Sequence, residues 1–157
     1  MIIRDFDPAR DRDDALAFIM GSQLYEHEFE PDRRLDPQVA EEFLPEILNR
    51  VAANRGRIFV AEEDGAAIGW AVFTVEQNQL YVVEAERVHG YIAELFVSVF
   101  SRSKGTGRAL ISACEDEARR QGLNQIKIGV LTKSTRTAEI YAKAGYGAYS
   151  SELRKYL

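Results

Sequence analysis

Only one cysteine, Cys114, stands in the 157 residues. That excludes an internal disulfide and a thiolate-based zinc site. The two histidines, His27 and His89, lie far apart in the sequence, which argues against a histidine-rich metal centre. No apolar run approaches the ~18–20 residues needed to cross a bilayer. The opening MIIRDFDPAR has no apolar signal core and turns acidic at once. Basic residues are in deficit, 20 Lys and Arg against 25 Asp and Glu, for a formal net charge of -5. A general nucleic-acid surface needs the opposite balance, although a local basic pocket remains open. These absences predict a soluble cytoplasmic protein with no metal, no membrane partner and no nucleic-acid partner. No linker, repeat or low-complexity stretch divides the chain, so one domain over residues 1–157 is expected.

What is present reads in two periods. MIIRDF is a short strand. The segment from Asp7 to Phe29 is a helix, with Leu16, Ile19, Met20 and Leu24 on one stripe and acids near its start, where the helix dipole favours them. Pro31 and Pro37 bracket a break. A second helix carries Val39, Phe43, Ile47 and Val51, with Pro45 as a kink or junction and Gly56 as its end. The period then shortens. RIFVAEEDGAAIGWAVFTVEQ reads as two strands around a tight turn. LYVVEAERVHG is ambiguous, and YIAELFVSVF is a strongly apolar strand. Residues 105–122 form a helix with Leu110, Ala113, Cys114 and Ala118 inward. NQIKIGVL is a strand, TAEIYAKAG a short helix and YGAYSSELRKYL a final strand. The order β-α-α-β-β-β-α-β-α-β predicts an α/β (α+β) fold, with a mixed sheet of about six to seven strands and helices on both faces.

SRSKGTGRAL lies between the apolar strand and the following helix. Two glycines are a poor helix opening, but they let backbone N–H groups come close to an anion at a helix start. Neither the nucleotide P-loop G-x-x-x-x-G-K-[ST] nor the dinucleotide fingerprint is supplied, since position 110 is Leu110. What remains is R-x-x-G-x-G, at Arg102, Gly105 and Gly107, and a turn made of glycine for steric reasons is its ordinary alternative. In this setting the motif resembles the pyrophosphate-binding loop of the GNAT superfamily of acetyl-CoA-dependent N-acetyltransferases. TRTAEIYAKAGY is similar to a second motif of that family, N-x-x-A-x-x-x-Y-x-K-x-G-[FY], with Ala138, Tyr141, Lys143, Gly145 and Tyr146 present and Thr135 where asparagine is usual. The family's usual proline after the central strand is missing from VSVFSR.

The resemblance implies a GNAT-like sheet with splayed central strands and acetyl-CoA as cosubstrate. It implies cofactor contacts from the backbone of Val97 and Val99, from Arg102, Ser103, Lys104, Gly105, Thr106, Gly107 and Arg108, and from Thr135. Arg102 and Arg108 would reach an outer phosphate or the adenine, or stand as solvated basic residues. Presenting a lysine-like amine, pKa about 10.4, neutral at pH 7 costs roughly 4–5 kcal/mol, so a base or a water chain is needed. Tyr141 is the candidate acid for the leaving thiolate; a core tyrosine is the alternative. Glu94, inside an apolar strand, must be paired, hydrated or lining a cleft. It is the first candidate base and His89 the second, with Tyr91 placed to hold water. Cys114 reads as a small core residue.

Between Glu26 and Glu46 there are eight acids (Glu26, Glu28, Glu30, Asp32, Asp36, Glu41, Glu42 and Glu46), opposed within the segment only by Arg33 and Arg34. A negative rim there would attract a cationic small-molecule or peptide amine; a solvated helix face explains the same acids. Tyr25 and Phe29 stand among them. The leading expectation is acetyl transfer from acetyl-CoA to such an amine. A non-catalytic acyl-CoA sensor of the same fold is the alternative, and a larger acyl group is a third reading. The last segment could pair with a second copy, making a homodimer.

Overall fold

The computed structural model describes residues 1–157. Its sheet has five strands in sequence order: β1 (Ile2–Asp5), β2 (Arg57–Glu63), β3 (Ala66–Gln77), β4 (Val88–Val97) and β5 (Ile126–Ile128). The first four pair antiparallel, and β5 runs parallel to β4. The β2–β3 hairpin closes through Asp64 and Gly65, with φ of 52° and 80°, the left-handed pair that a two-residue turn of matching twist requires. The helices are α1 (Pro8–His27), α2 (Gln38–Ala53), α3 (Glu84–Arg87), α4 (Thr106–Arg120) and α5 (Thr135–Lys143). No helix is long and apolar enough to cross a membrane.

Helices cover both faces of this mixed sheet, as expected. On one face Ala15, Phe18 and Ile19 of α1 and Ala40, Leu44 and Ile47 of α2 pack on Ile58, Trp70 and Val72. On the other, Leu110, Ile111, Cys114 and Ala118 of α4 pack on Phe59, Phe73 and Ile92, with Tyr141 of α5 and Ala144 just after it against them. Trp70 and Phe73 are fully buried, and each such side chain contributes on the order of 2–3 kcal/mol. Helix α2 runs on through Pro45.

Three expectations need correction. The sheet has five strands rather than six to seven. The final segment is not a strand: residues 147–157 have no regular structure, and none of their amides donates to another backbone group. Of its apolar residues, Tyr149, Leu153 and Leu157 share one parity but are separated by Ser151 and Lys155, and Tyr156 falls on the opposite face, so no strand register gives a continuous apolar face; all four are exposed. The α1 stripe is also turned. Leu24 is 56% exposed, and the inward line runs Asp11, Ala15, Phe18, Ile19. Gly21 sets this: a Cβ there would lie 2.3 Å from Cζ of Phe96, so α1 crosses β4 closely at that point. The next helical turn then carries Tyr25 and Glu26 past the sheet.

Strand β4 contains the feature that positions the site. Ile92 opposes Phe73 and Glu94 opposes Val72, so Ala93 is an extra residue in the ladder. A bulge of this kind reverses which face the following side chains point to. Ile92 faces the α4 core; beyond the bulge, Glu94 shares the face of its partner Val72 and of Phe96, on the α1–α2 side. Pairing with β5 covers only Gly90, Tyr91 and Ile92. It ends where the bulge begins, and the two strands part.

Glu117 ties α4 to the sheet's other end. Its carboxylate is buried and accepts bonds from Arg57 (3.1 Å), Arg120 (2.5 and 2.9 Å) and Gln121 (2.7 Å). These, Arg120 foremost, hold its pKa down at about 2 against an ordinary 4.5. A depressed carboxylate stabilises the fold above its unfolded pKa and loses that contribution as pH falls through the folded value. Arg57 and Arg120 are partly exposed, which leaves about 2 kcal/mol after screening. Denaturant titrations of wild type and Glu117→Gln should therefore differ by that amount at pH 7 and converge as pH approaches 2.

Candidate active site

The parting of β4 and β5 opens a cleft of about 570 Å³. Its walls come from Tyr25 and Glu26 of α1, Leu95 to Val97 of β4, the loop into α4, Gly129 to Leu131 after β5, and α5 with Tyr141. The Ser98 N–H donates to Ile68 O of β3 at 2.9 Å. Backbone groups alternate between strand edges, so Val97 and Leu95 present theirs to the cleft. Val97 is thus placed as expected. Val99 is not: it lies in a one-turn 3₁₀ helix (Val99–Ser101), is 65% exposed and is absent from the cleft wall. Leu95, two residues earlier, holds the equivalent edge position, and only the ladder's end at Val97 reveals it.

At the cleft's outer end the loop into α4 forms a concave row of amides. Ser103 and Gly105 have φ of 61° and 88°, separated by Lys104, an alternation that turns successive N–H groups to one side. The N–H groups of Ser103, Lys104, Gly105, Thr106, Gly107 and Arg108 donate to no protein acceptor. Gly105 must be glycine for its φ. Gly107 has no such need, because a Cβ there would meet only Val97 Cγ2 at an ordinary 3.8 Å. Thr106 is buried, its hydroxyl donating to Ser101 O at 3.3 Å; Lys104 is exposed and stands outside the cleft wall. Positive side chains frame the cleft: Arg102, Arg108, Arg136 and Lys143 against Glu26 and Glu139. Arg136 and Lys143 were not singled out as cleft cations from the sequence; their spacing along a helix face was the available signal. The anion-binding amides and these cations fit a pyrophosphate group.

Arg102 turns inward. Its Nε donates to Val97 O at 3.0 Å, and its guanidinium lies 5.4 Å from the Tyr25 ring centroid and 5.7 Å from that of Phe96. Arg108 donates to Ala144 O at 3.0 Å, tying α4 to the end of α5. Tyr25 Oη bonds Ser134 Oγ (3.1 Å) and Thr137 Oγ1 (2.9 Å), which bond each other at 2.8 Å. Thr135 takes no part: it is exposed and lies outside the cleft wall, whereas Ser134 is buried and Thr137 half-buried within it. Seven residues before Tyr141, the separation in N-x-x-A-x-x-x-Y, is Ser134. Counted from the tyrosine, the motif's polar position falls there and its alanine position on Thr137.

The inner end gathers ionisable groups. Tyr141 lines the cleft half-buried, and burial, followed by the charge of Glu26, pushes its pKa up. It keeps its proton at any ordinary pH. Glu94 is half-buried, with no hydrogen-bonding partner in the protein; it is not itself part of the cleft wall but stands next to Leu95 on β4, close enough to Tyr141 to act on its pKa. Burial first and Glu26 second raise its pKa to about 7, and Arg50 opposes them. His89 stands near the start of β4 opposite Glu76, buried and outside the cleft wall, with its pKa lowered by desolvation. Cys114 is fully buried in α4, its thiol pushed up to about 12.

Residues 11–146 match the Acetyltransferase (GNAT) family. The chain belongs to the GNAT acetyltransferase family. It is 31% identical over 111 residues, 71% of this chain and 70% of the other, to the uncharacterized N-acetyltransferase YhfO of Bacillus subtilis (strain 168). Its fold is similar to that of a BH1408 protein mutant from Bacillus halodurans, at TM-score 0.82 and 18% identity over 100% and 99% of the two chains. An aminoglycoside antibiotic 6'-N-acetyltransferase from Acinetobacter haemolyticus superposes at TM-score 0.74 and 14% identity, over 100% and 98%. GNAT proteins generally use acetyl-CoA as acetyl donor.

The acidic rim of this GNAT chain is not bare. Six of its eight acids lie within 4 Å of a cation: Glu26 and Asp32 with Arg33, Asp36 and Glu42 with Arg34, Glu41 with Arg12, and Glu30 and Asp32 with Arg154, Glu30 also taking Lys133. Arg12, Lys133 and Arg154 come from other segments, which a count within the segment could not see. Surface pairs of this kind largely cancel a rim's pull on a distant cation.

Gly107 gives the sharpest test of the loop. Leucine is a better helix former than glycine by roughly 0.8 kcal/mol, so Gly107→Leu should fold with unchanged circular dichroism. Its side chain would stand over the amide row, and the thermal shift that acetyl-CoA gives wild type should vanish.

Proposed function

We propose that this protein is an N-acetyltransferase that moves an acetyl group from acetyl-CoA directly to a primary amine, a cationic small molecule or a peptide amine. The row of partnerless amides from Ser103 to Arg108, at one end of a cleft that ends on Tyr141, carries this reading. That row would hold the pyrophosphate, and the strand edge at Leu95 and Val97, where Val97 O also accepts from Arg102, the pantetheine arm. When bound, acetyl-CoA supplies an activated acyl thioester.

The chain's own residues then have three tasks. Glu94, directly or through one water, takes a proton from the acceptor's ammonium. From a donor of pKa about 10.4 to an ordinary glutamate this transfer costs about 8 kcal/mol; to a carboxyl at about 7 it costs about 5. Burial of Glu94 thus removes roughly 3 kcal/mol from the step. Tyr141 gives its phenolic proton to the departing sulfur and takes back the proton left on the new amide nitrogen. Glu94 returns its proton to solvent. The walls of Tyr25, Phe29 and Phe96 keep bulk water from the thioester.

Acetyl-CoA should raise the melting temperature of wild type, and CoA should be released only when an amine is added. No shift with acetyl-CoA would end the reading. Tyr141→Phe should keep the shift and lower kcat by 10²-fold or more; an unchanged kcat would leave Tyr141 as a packing residue.

Glu94→Gln tests the base through pH. Wild-type kcat/KM should rise with pH and level off above about 7, where Glu94 is ionised. The variant should lose that inflection and most of its rate while still binding acetyl-CoA.

A further inference from the structure

Among the acids of the cleft wall, Glu26 has a setting that base chemistry does not use. It lies in the last turn of α1, beside Tyr25. Arg33 Nε donates to its Oε2 at 2.6 Å, and Oε1 has no hydrogen bond to the protein. Arg33 is held in turn by Asp32 (2.8 Å), and its carbonyl oxygen lies 2.8 Å from His27 Nδ1. One oxygen of Glu26 is therefore fixed and the other is left for a ligand. Its charge acts on both reacting groups, being the first-ranked charge on Glu94 and on Tyr141. Tyr25 and Phe29 stack edge to face at 5.3 Å next to it, a wall suited to a cation or an alkyl stem.

We propose that Glu26 is the carboxylate that seats the acceptor's ammonium group, and that Arg33 positions it. The proposal rests on the acetyltransferase reading and narrows it. Charge selection occurs at the one oxygen of Glu26 that Arg33 leaves free on the cleft wall, rather than along the rest of the rim. The ammonium donates to Oε1, which puts its nitrogen near Glu94 and Tyr141. The same charge keeps Glu94 protonated to higher pH. Glu94 is faced by Glu26 from α1, Arg50 from α2 and Tyr141 from α5. Replacing Glu26 by a neutral isostere removes the one carboxylate that raises Glu94 and leaves Arg50, so Glu94 must ionise at lower pH.

The test compares wild type, Glu26→Gln, Arg33→Met and Arg33→Lys. Each is assayed with acetyl-CoA and phenethylamine, spermidine or lysine amide, and acetyl-CoA thermal shifts are run in parallel. For Glu26→Gln the KM for amine should rise about tenfold or more, the scale of a charge-assisted bond, with the acetyl-CoA shift intact. The acid limb of kcat/KM should move to lower pH. Arg33→Met should raise the amine KM, and Arg33→Lys should restore it. An unaltered amine KM and acid limb in Glu26→Gln overturn the proposal and leave the acetyltransferase reading standing. A wild type that binds acetyl-CoA and acetylates none of the three amines overturns the ammonium seat and the transferase reading together.

Discussion

One extra residue in one strand governs the rest. Without Ala93, strict alternation would put Glu94 on the face of Ile92, inside the α4 core, where an unpaired carboxylate would cost several kcal/mol. With it, Glu94 moves to the α1–α2 face and meets Glu26 and Arg50. The same irregularity stands where the β4–β5 ladder stops after three residue pairs. A longer ladder would satisfy the strand edge at Leu95 and Val97 and close the cleft. The open strand edge along the cleft and the placement of Glu94 on the α1–α2 face thus share one local cause.

The cleft wall carries charge of both signs. Helix-terminal amides, Arg108, Arg136 and Lys143 line it together with Glu26, Glu139 and Tyr141, and Glu94 stands close enough to Tyr141 to act on its pKa. Tyr25 joins two walls: its hydroxyl is held by Ser134 and Thr137 of the α5 segment, and its ring carries Arg102. Arg102 links the loop to β4 through Val97 O and to α1 through the Tyr25 ring, and still lines the cleft.

The amide row was legible because it depends on contiguous residues: Gly105 and Gly107 at fixed spacing after an apolar strand can be read in one window. Tyr141 was legible for the same reason. Val99 and Thr135 fell outside the cleft because each position was counted from a motif without the local geometry. The strand ends at Val97, and α5 opens its buried face at Ser134 and Thr137. The role of Ala93 left no mark, since a bulge is a relation between two strands. The cancellation of the acidic rim by Arg12, Lys133 and Arg154 was hidden likewise, its partners lying far off in the chain. The fifth strand stops at Ile128 although Ile126, Ile128 and Val130 alternate, and the tail is irregular, with Ser151 and Lys155 interrupting the one face that Tyr149, Leu153 and Leu157 could share.

Glu94 and Glu117 set function and fold against each other in pH. The folded pKa of Glu94, about 7, lies above its ordinary 4.5. Its contribution is full below pH 4.5 and is lost as pH rises through 7, a cost of roughly 3 kcal/mol at most once it is ionised. Glu117 runs the other way, its folded pKa near 2 contributing above pH 4.5. Over the range in which Glu94 becomes ionised, Glu117 is fully ionised and holds α4 to β2 through Arg57. A carboxylate left without a partner on β4 is thus offset by one with three partners at the other end of the fold.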